Sequence, residues 1–409
     1  MAMLRSLLLL LACAAPAFAD DWPQWLGPAR NGVSPEKIAP WKEPPKVLWK
    51  LAVAEGHSSP IVADGRAFLH VRVKGKDEEE VIACNATTGA ELWRQTYPRA
   101  PFKSPFGVGP RATPAVSGDK LYTFGVTGVL SCWEAATGKR VWQVDTLTEF
   151  NAKNLFFGVS CSPLIEGDLV LINVGGPGAS IVAFKKATGE VAWKALDDKA
   201  SYSSPIAIGE GANRQLIFLT QQGLVGLSPA DGKQFWKFPL VDKLSESSTT
   251  PIQWGSLLLG SSVTYGSAAL TLESKDGVPG ASEAWKNPKL TSYISTPVVA
   301  GKDLLYMVTG TIIPPPSATL RCVEASSGKV LWSKPDIGQY HAALLRTGDG
   351  KLLMLDDAGG LALLDPDPAE YKELARSKVC GSTWAHPALA GGRLYLRDKQ
   401  EWVCLSLAE

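Results

Sequence analysis

The sequence is short of histidine and of excess charge. It has 41 basic and 40 acidic side chains and four histidines among 409 residues, so its formal charge is +1. Such a balance gives the chain no field that would draw it to nucleic acid or to an anionic membrane surface. We therefore expect no nucleic-acid partner.

Long hydrophobic runs are also missing. The apolar run Leu7–Ala12 is too short to span a bilayer, and no later stretch approaches the roughly 18 apolar residues of a membrane helix. The small-x-small sequence Ala17-Phe18-Ala19 follows it, which is typical of a signal-peptidase site. We predict a signal peptide over residues 1–19, cleaved after Ala19, and a periplasmic or secreted protein with no transmembrane segment.

A lipid anchor is the alternative at this end of the chain. Leu10-Leu11-Ala12-Cys13 loosely resembles a lipobox, in which an acylated Cys13 would hold the protein on a membrane. The short apolar run and the directly following cleavage site favour the free, exported form.

Tryptophan, glycine and proline are abundant, with 14, 39 and 29 copies. This composition favours many short strands and tight turns. Self-comparison shows a repeat of a strand after Ser/Thr-x-Pro, two further strands, and a closing Thr-Gly-x-x-x-Trp. The anchor positions are Pro60, Pro114, Pro163, Pro205, Pro251, Pro297, Ala343 and Pro387. The closing tryptophans are Trp93, Trp142, Trp193, Trp236, Trp285 and Trp332, with a degenerate seventh unit near Arg376.

The repeat spacing predicts an all-β, eight-bladed β-propeller of four-stranded antiparallel blades over residues 46–409. The eighth unit lacks its last strand, and Lys46–Lys50 near the other end supplies one with Trp49 in place. We predict that these N- and C-terminal strands pair and close the ring. The preceding residues 20–45 are rich in Trp and Pro, so we expect an extended leader that lies across the propeller.

The closing motif resembles the docking repeat of the PQQ-like (quinoprotein alcohol dehydrogenase-like) propellers, where PQQ is pyrrolo-quinoline quinone. It reads Ala-x-Asp-x-x-Thr-Gly-x-x-x-Trp, with copies at Ala83–Trp93, Ala183–Trp193 and Cys322–Trp332. The resemblance covers the mature chain and includes propellers similar to outer membrane protein assembly factor B. The leader, Asp21–Ser34, is similar to that of exported PQQ-like proteins of planctomycete and verrucomicrobial type.

The resemblance implies two kinds of function. Quinone enzymes of the family hold PQQ between a Trp and a disulfide of adjacent cysteines, above a calcium bound by acidic and amide side chains, with an Asp as base. This chain has no Cys-Cys dipeptide. We therefore expect no cofactor and keep PQQ with calcium as the alternative. Cys132 and Cys322 occupy the small alanine position of the repeat, so we expect them to be buried and inert.

Polar and aromatic residues just before the anchors should surround one mouth of the central channel. We predict ligand contacts there from His57, Arg111, Tyr202, Tyr293, His341, Trp384 and His386. No nucleophile is placed beside a base by any motif. We predict a monomeric, non-catalytic module that binds an envelope protein, a peptide or a glycan. The alternatives are a PQQ-dependent oxidoreductase and a metal-assisted hydrolase or lyase that uses His57, His341 and His386.

Overall fold

The computed structural model describes residues 21–310 and 316–407. The predicted signal peptide, its cleavage site after Ala19 and the alternative lipid anchor Cys13 lie outside them. Within the described residues, 32 strands form eight four-stranded antiparallel sheets, and the predicted eight-bladed β-propeller is confirmed. No helix in this part of the chain has the length and apolarity that crossing a bilayer requires.

The first strand, β1, spans Val47–Ala52, and blades 1 to 4 follow it with their strands in chain order from the channel outwards. A single helical turn, α1, spans Thr146–Glu149, and a 3-10 turn spans Gly211–Asn213. Blade 1 has β2 (Ile61–Ala63), β3 (Arg66–Arg72), β4 (Glu78–Asn85) and β5 (Glu91–Pro98). Blade 2 has β6 (Ala115–Ser117), β7 (Lys120–Phe124), β8 (Val129–Glu134) and β9 (Arg140–Asp145). Blade 3 has β10 (Leu164–Glu166), β11 (Leu169–Gly176), β12 (Ala179–Lys185) and β13 (Val191–Ala195). Blade 4 has β14 (Ile206–Ile208), β15 (Gln215–Thr220), β16 (Gly223–Leu227) and β17 (Gln234–Phe238).

The second half of the ring repeats this plan. Blade 5 has β18 (Ile252–Trp254), β19 (Leu257–Ser262), β20 (Gly266–Lys275) and β21 (Val278–Asn287). Blade 6 has β22 (Val298–Ala300), β23 (Leu304–Gly310), β24 (Ala318–Glu324) and β25 (Lys329–Gly338). Blade 7 has β26 (Ala342–Arg346), β27 (Leu352–Asp356), β28 (Gly360–Asp365) and β29 (Lys372–Lys378). Blade 8 has β30 (Ala388–Ala390), β31 (Arg393–Arg397), β32 (Glu401–Ser406) and, as its outer strand, β1.

The terminal strands close the ring as predicted. In the antiparallel pair of β1 and β32, Trp49 lies opposite Cys404 and Leu51 opposite Trp402. This pairing removes the edge that three-stranded blade 8 would otherwise expose.

Each anchor proline immediately precedes an inner strand, except in blade 7, where β26 begins at Ala342, one residue before the predicted anchor Ala343. The hydroxyl before the proline has a defined role. The Thr113 hydroxyl accepts from the Ser59 amide, the Ser162 hydroxyl from the Thr113 amide, and the Ser204 hydroxyl from the Ser162 amide, at 2.9 to 3.2 Å. Because these bonds run from blade to blade, the repeated hydroxyl fixes the spacing of the inner strands.

The closing tryptophans pack between blades, and most donate from the indole to a carbonyl oxygen of the next blade. These bonds run from Trp49 to Ala86 (3.0 Å), Trp93 to Ala135 (3.0 Å), Trp142 to Lys186 (2.8 Å), Trp193 to Pro229 (3.0 Å), Trp285 to Ala325 (2.9 Å) and Trp332 to Asp367 (2.8 Å).

Trp236 is the exception among these residues. Its indole donates over 2.7 Å to the Gln215 side-chain oxygen of its own blade. The cause lies in blade 5, whose outer hairpin continues to a tip at Asp276-Gly277 in place of the usual Thr-Gly turn. Because this hairpin lacks the usual turn, blade 5 offers no turn carbonyl to the Trp236 indole, which bonds within its own blade.

The leader enters the central channel at the end opposite the predicted mouth. Trp22 pairs with Val62 in the middle of β2, and further along Val33 pairs with Arg346, the last residue of β26. Between these points the chain turns inside the channel, where buried Arg30 donates to the carbonyl oxygens of Pro205, Pro163 and Ser162 at 2.8 to 3.1 Å. The leader is thus held by inner strands on several sides of the ring.

The cysteines that occupy strand positions are buried in the cores between blades. Cys84, Cys132, Cys322 and Cys404 are fully buried, and none of them forms a disulfide. Burial raises the pKa of each of these thiols, to about 12 for Cys84, Cys132 and Cys404. Such thiols remain protonated and unreactive at neutral pH.

Candidate functional site

The segments that lead from each outer strand to the next inner strand meet at one mouth of the channel. They surround a cavity of about 240 Å³. Of the seven residues predicted to contact a ligand, five line this cavity: His57, Arg111, Tyr202, Tyr293 and Trp384. His341 and His386 do not line it. Their role in ligand binding stays a prediction.

Trp25 of the leader closes the inner end of the cavity. Its indole donates over 2.7 Å to the hydroxyl of Thr250, the residue before an anchor proline. Its ring also meets that of buried His386 edge-on, with centroids 4.7 Å apart. Because the leader fills the channel behind Trp25, the cavity is open only at the mouth.

Aromatic rings follow one another around the mouth. Phe157 contacts Phe156 (4.9 Å between centroids), Phe106 (5.4 Å) and Tyr202 (5.5 Å). Trp384 contacts Phe106 (6.1 Å), Tyr340 (5.8 Å) and His57 (5.3 Å). We call these residues the aromatic arc: His57, Phe106, Phe156, Phe157, Tyr202, Tyr340 and Trp384. Two of its phenylalanines are largely exposed, Phe156 at 67% and Phe106 at 41%.

Arg111 and His57 share a backbone acceptor. The Phe106 carbonyl oxygen lies 2.9 Å from Nε2 of His57 and 3.3 Å from Nη2 of Arg111, which also donates to Gly107. Nε of Arg111 donates to the Phe157 carbonyl. Burial lowers the pKa of Arg111 to about 10, so it stays charged at neutral pH. Burial and the charge of Arg111 lower the pKa of His57 to about 3, so His57 is neutral and carries its proton on Nε2.

A carboxylate stands on another side of the cavity. Glu246 accepts through Oε2 from the Tyr293 hydroxyl at 2.5 Å. Burial and this carboxylate raise the pKa of Tyr293 above its usual range. The hydroxyl of Tyr202 accepts from the Phe157 amide at 3.2 Å, so both tyrosines are fixed in place.

His341 and His386 lie together behind the cavity wall. Their ring centroids are 5.5 Å apart, and Nδ1 of His341 lies 2.8 Å from the Ser295 hydroxyl. Burial lowers the pKa of His341 to about 4 and that of His386 well below its usual range. His57 stacks on Trp384 instead of joining them. Across residues 21–310 and 316–407, no three His, Cys, Asp or Glu side chains form a metal-binding cluster.

A larger groove of about 900 Å³ adjoins the cavity on the same face. The two share His57, Phe106, Tyr340 and Trp384. The groove is lined by charged side chains of both signs, among them acidic Glu55 and Asp336 and basic Lys378 and Lys399. It therefore offers polar and charged contacts beside the aromatic arc.

Several cavity residues were missed from the sequence. Phe106 and Phe157 lie in the connections before Pro114 and Pro163, where the anchor spacing of 54 and 49 residues exceeds that of most later units. These longer connections could have indicated from the sequence that extra residues reach the mouth of the channel. Glu246 lies in the connection before the anchor Pro251, in which no residue was predicted to contact a ligand. Trp25 has no repeat equivalent, and its position depends on how the leader enters the channel.

The cavity does not fit a calcium-bound quinone. Calcium takes six to eight oxygen ligands, with several carboxylates or amides. Glu246 is the one carboxylate among the described lining residues, and no Asp, Asn, Gln or Cys side chain lines the cavity. The acidic and amide ligands, the aspartate base and the disulfide platform that the resemblance implied are thus not assembled at this position.

The sequence model described as outer membrane protein assembly factor BamB matches residues 76–334, more than half of the chain. The chain belongs to this family. The BamB of Yersinia pestis is 23% identical over 311 residues, which cover 71% of this chain and 72% of that protein. The resemblance expected from the repeats is thereby confirmed.

The chain also resembles solved structures of a quinohemoprotein alcohol dehydrogenase and of a BamB. The quinohemoprotein alcohol dehydrogenase of Comamonas testosteroni has a TM-score of 0.69 at 14% identity, covering 96% of this chain and 81% of its own. BamB from Moraxella catarrhalis has a TM-score of 0.58 at 14% identity, covering 88% of this chain and 97% of its own. At such identities, both likenesses establish the fold alone.

Proposed function

We propose that the protein is an exported, non-catalytic recognition module that binds a polypeptide segment of an envelope partner across the mouth of the channel. The observation that carries the proposal is the aromatic arc around a blind cavity, next to a groove with charges of both signs. Partly exposed aromatic side chains with nearby polar groups are the usual anchors of protein interfaces. The relatives named as assembly factors of outer membrane proteins support a protein partner.

The hydroxyls at the mouth support a binding role over a hydrolytic one. Four serines line the cavity, and each is hydrogen-bonded to the backbone: Ser160, Ser162, Ser204 and Ser248. His57 directs its Nε2 proton to the Phe106 carbonyl and has a low pKa, so it is not set up as a base for any of them. A nucleophile and its base within hydrogen-bonding reach are what hydrolysis of this kind requires.

Peptide selection on the purified mature chain tests the proposal. Phage-displayed random peptides and an array of envelope glycans would be offered in parallel. We expect enriched peptides whose binding is lost in Trp384→Ala, which removes the centre of the arc. Binding should persist in Trp254→Ala, because Trp254 ends β18 at the opposite end of the channel. Selection of glycans alone, or peptides that bind Trp384→Ala equally well, would contradict the proposal.

The oxidoreductase alternative is tested on the same protein. PQQ and calcium would be added, followed by absorption spectroscopy and an assay of dye reduction with alcohols. We expect neither a saturable spectral change nor substrate-dependent dye reduction. A turnover that depends on both additions would replace the proposed function with a dehydrogenase.

A further inference from the structure

A buried polar cluster lies in blade 1, behind the two loops that carry the phenylalanines of the aromatic arc. Its members are His70 of β3, Glu79 of β4, Tyr97 of β5 and Arg99, which directly follows β5. All four are at most 6% exposed, and none is among the described residues that line the cavity or the groove. Any influence of the cluster on binding at the mouth therefore has to pass through the loops.

Both oxygens of the Glu79 carboxylate are in use. Oε2 accepts from the Tyr97 hydroxyl at 2.5 Å and lies 3.3 Å from Nε2 of His70. Oε1 accepts from the Val126 amide at 3.0 Å. Burial opposes the ionisation of this carboxyl, but the bonds from His70, Tyr97 and the Val126 amide together lower its pKa. Glu79 is thus a charged acceptor that joins blade 1 to the turn after β7 in blade 2.

This turn supports the second rim loop, which we define as residues 154–159 and which carries two phenylalanines of the arc. The Val126 carbonyl accepts from the Val159 amide and from Nδ2 of Asn154, both at 3.1 Å. The loop is therefore held near both of its ends by one residue, whose own amide is held by Glu79.

Arg99 supports the first rim loop, which we define as residues 100–108 and which carries the third phenylalanine of the arc. Its Nη1 donates to the Ala100 carbonyl at 2.9 Å, and its Nη2 donates to the Val108 carbonyl at 3.2 Å. One guanidinium thus spans the two ends of the loop. Nε of Arg99 lies 3.8 Å from Oε1 of Glu79, so the same carboxylate faces the supports of both loops.

We propose that Glu79 is a positioning residue, which keeps the two rim loops in the arrangement that recognises a polypeptide. The inference rests on the proposed function and adds a determinant of the same site that does not contact the ligand. In Glu79→Gln one oxygen is replaced by an NH₂ group, which cannot accept, so that Tyr97 or Val126 loses its acceptor. A loop that is competent for only part of the time lowers the apparent affinity by that fraction.

Hydrogen exchange on the unliganded mature chain tests the control of the loops. In Glu79→Gln we expect amides of both rim loops to exchange at least about tenfold faster, because a bond to a buried charged group is lost. Strand β19 lies in blade 5, on the far side of the ring, and should exchange as in the wild type. Unchanged exchange in the rim loops, or faster exchange in β19 to the same degree, would overturn the proposal.

Glu80→Gln is the matched control. Glu80 is the next residue of β4 and is also buried, but its carboxylate accepts from Nη1 of Arg94 at 2.7 Å and not from the supports of the loops. We expect exchange in the rim loops of this variant to match the wild type. An equal increase in both variants would mean that any lost carboxylate in β4 loosens the loops, which contradicts a specific role of Glu79.

A milder variant covers the case in which Glu79→Gln does not fold. Asn154→Ala removes one of the two bonds to the Val126 carbonyl, from an exposed residue. We expect about threefold faster exchange in the second rim loop and none of this effect in the first, with peptide affinity weakened to a similar degree. Unchanged exchange and affinity would overturn the proposal, since the turn after β7 would then not support the loop.

Peptide binding tests the consequence for recognition. A peptide selected on the wild type should bind Glu79→Gln at least about tenfold more weakly, and Glu80→Gln within about twofold of the wild type. Saturating peptide should restore slow exchange in both rim loops of Glu79→Gln, because the peptide selects their binding arrangement. Equal affinity for Glu79→Gln and the wild type would overturn the proposal. A selection that yields no peptide contradicts the proposed function instead, and the exchange measurement still decides whether Glu79 controls the loops.

Discussion

Nε1 of Trp49 donates a hydrogen bond of 3.0 Å to the carbonyl oxygen of Ala86. Trp49 belongs to the outer strand of blade 8, and Ala86 follows β4 of blade 1, so the bond joins the last blade to the first. The same strand also pairs with β32. One short segment thus completes a blade and links it to its neighbour.

Truncating this tryptophan should weaken the whole ring. Trp49 is 8% exposed, and we expect Trp49→Ala to lower the free energy of unfolding by about 3 to 5 kcal/mol, as for other buried aromatic truncations. Leu48→Ala is the control, because Leu48 is 39% exposed in the same strand and should change stability by no more than about 0.5 kcal/mol. Denaturant unfolding measures both. Equal effects would mean that Trp49 does not hold the ring closed.

Two glycines separate backbone strain from steric conflict. Gly328 (φ +70°) and Gly277 (φ +76°) have the same left-handed backbone, but an added Cβ at Gly328 would lie 2.6 Å from the Trp285 ring, whereas at Gly277 it meets nothing. We expect Gly277→Ala to destabilise by about 1 to 2 kcal/mol from the backbone alone. We expect Gly328→Ala to lower the free energy of unfolding by a further ~1 to 3 kcal/mol, because the added methyl group would overpack against Trp285. Thermal or denaturant unfolding would refute this if the two variants were equal.

Arg30 should be necessary for the leader to stay in the channel. Its buried guanidinium donates to three carbonyl oxygens of blades 3 and 4, so Arg30→Met leaves those acceptors without donors. We expect a loss of about 2 to 4 kcal/mol and faster proteolysis between Pro28 and Glu43. Arg140→Met, at an exposed position of β9, is the control. Unchanged protection of the leader in Arg30→Met would show that its other contacts suffice.

Acid should destabilise the fold through the buried histidines. Burial lowers the pKa of His341 to about 4 and that of His386 further, while an unfolded histidine titrates near pH 6.5. The unfolded chain therefore takes up protons first, so this stabilisation is complete above about pH 6.5 and is lost as the pH falls towards 4.

Replacing one of these rings isolates its contribution. In His386→Leu the free energy of unfolding should fall less steeply between pH 6.5 and 4, by at most about 1.4 kcal/mol per pH unit. Both ring nitrogens of His386 lack partners in the described structure, so the variant should not be destabilised near pH 7.5. Denaturant unfolding at a series of pH values gives the slopes. An unchanged slope would mean that His386 titrates normally in the fold.

The repeat determined what could be predicted from the sequence. Each unit carries its own anchor, turns and tryptophan, so the number of blades and the pairing of β1 with β32 followed from local patterns. Those patterns also located His57, Arg111 and Trp384 near the mouth. They do not encode contacts between the leader and distant blades, such as the bond from Trp25 to Thr250, and for that reason the closed inner end of the cavity was not predicted.

The exception at Trp236 has the same origin. Trp236 itself keeps the repeat pattern, but its hydrogen-bond acceptor depends on the outer hairpin of blade 5. That hairpin, formed by β20 and β21, departs from the repeat pattern. A motif within one unit predicts a contact between units only where both units keep the pattern.

The pairing of β1 with β32 also sets an order of events during biosynthesis. β1 is the first strand of the propeller to be made and its partner β32 is the last, so β1 must wait until synthesis has passed Ser406. Until then the nascent polypeptide holds an unsatisfied strand at its leading end, which is open to chaperones and to wrong partners. Closure of the whole wheel therefore depends on the arrival of β32.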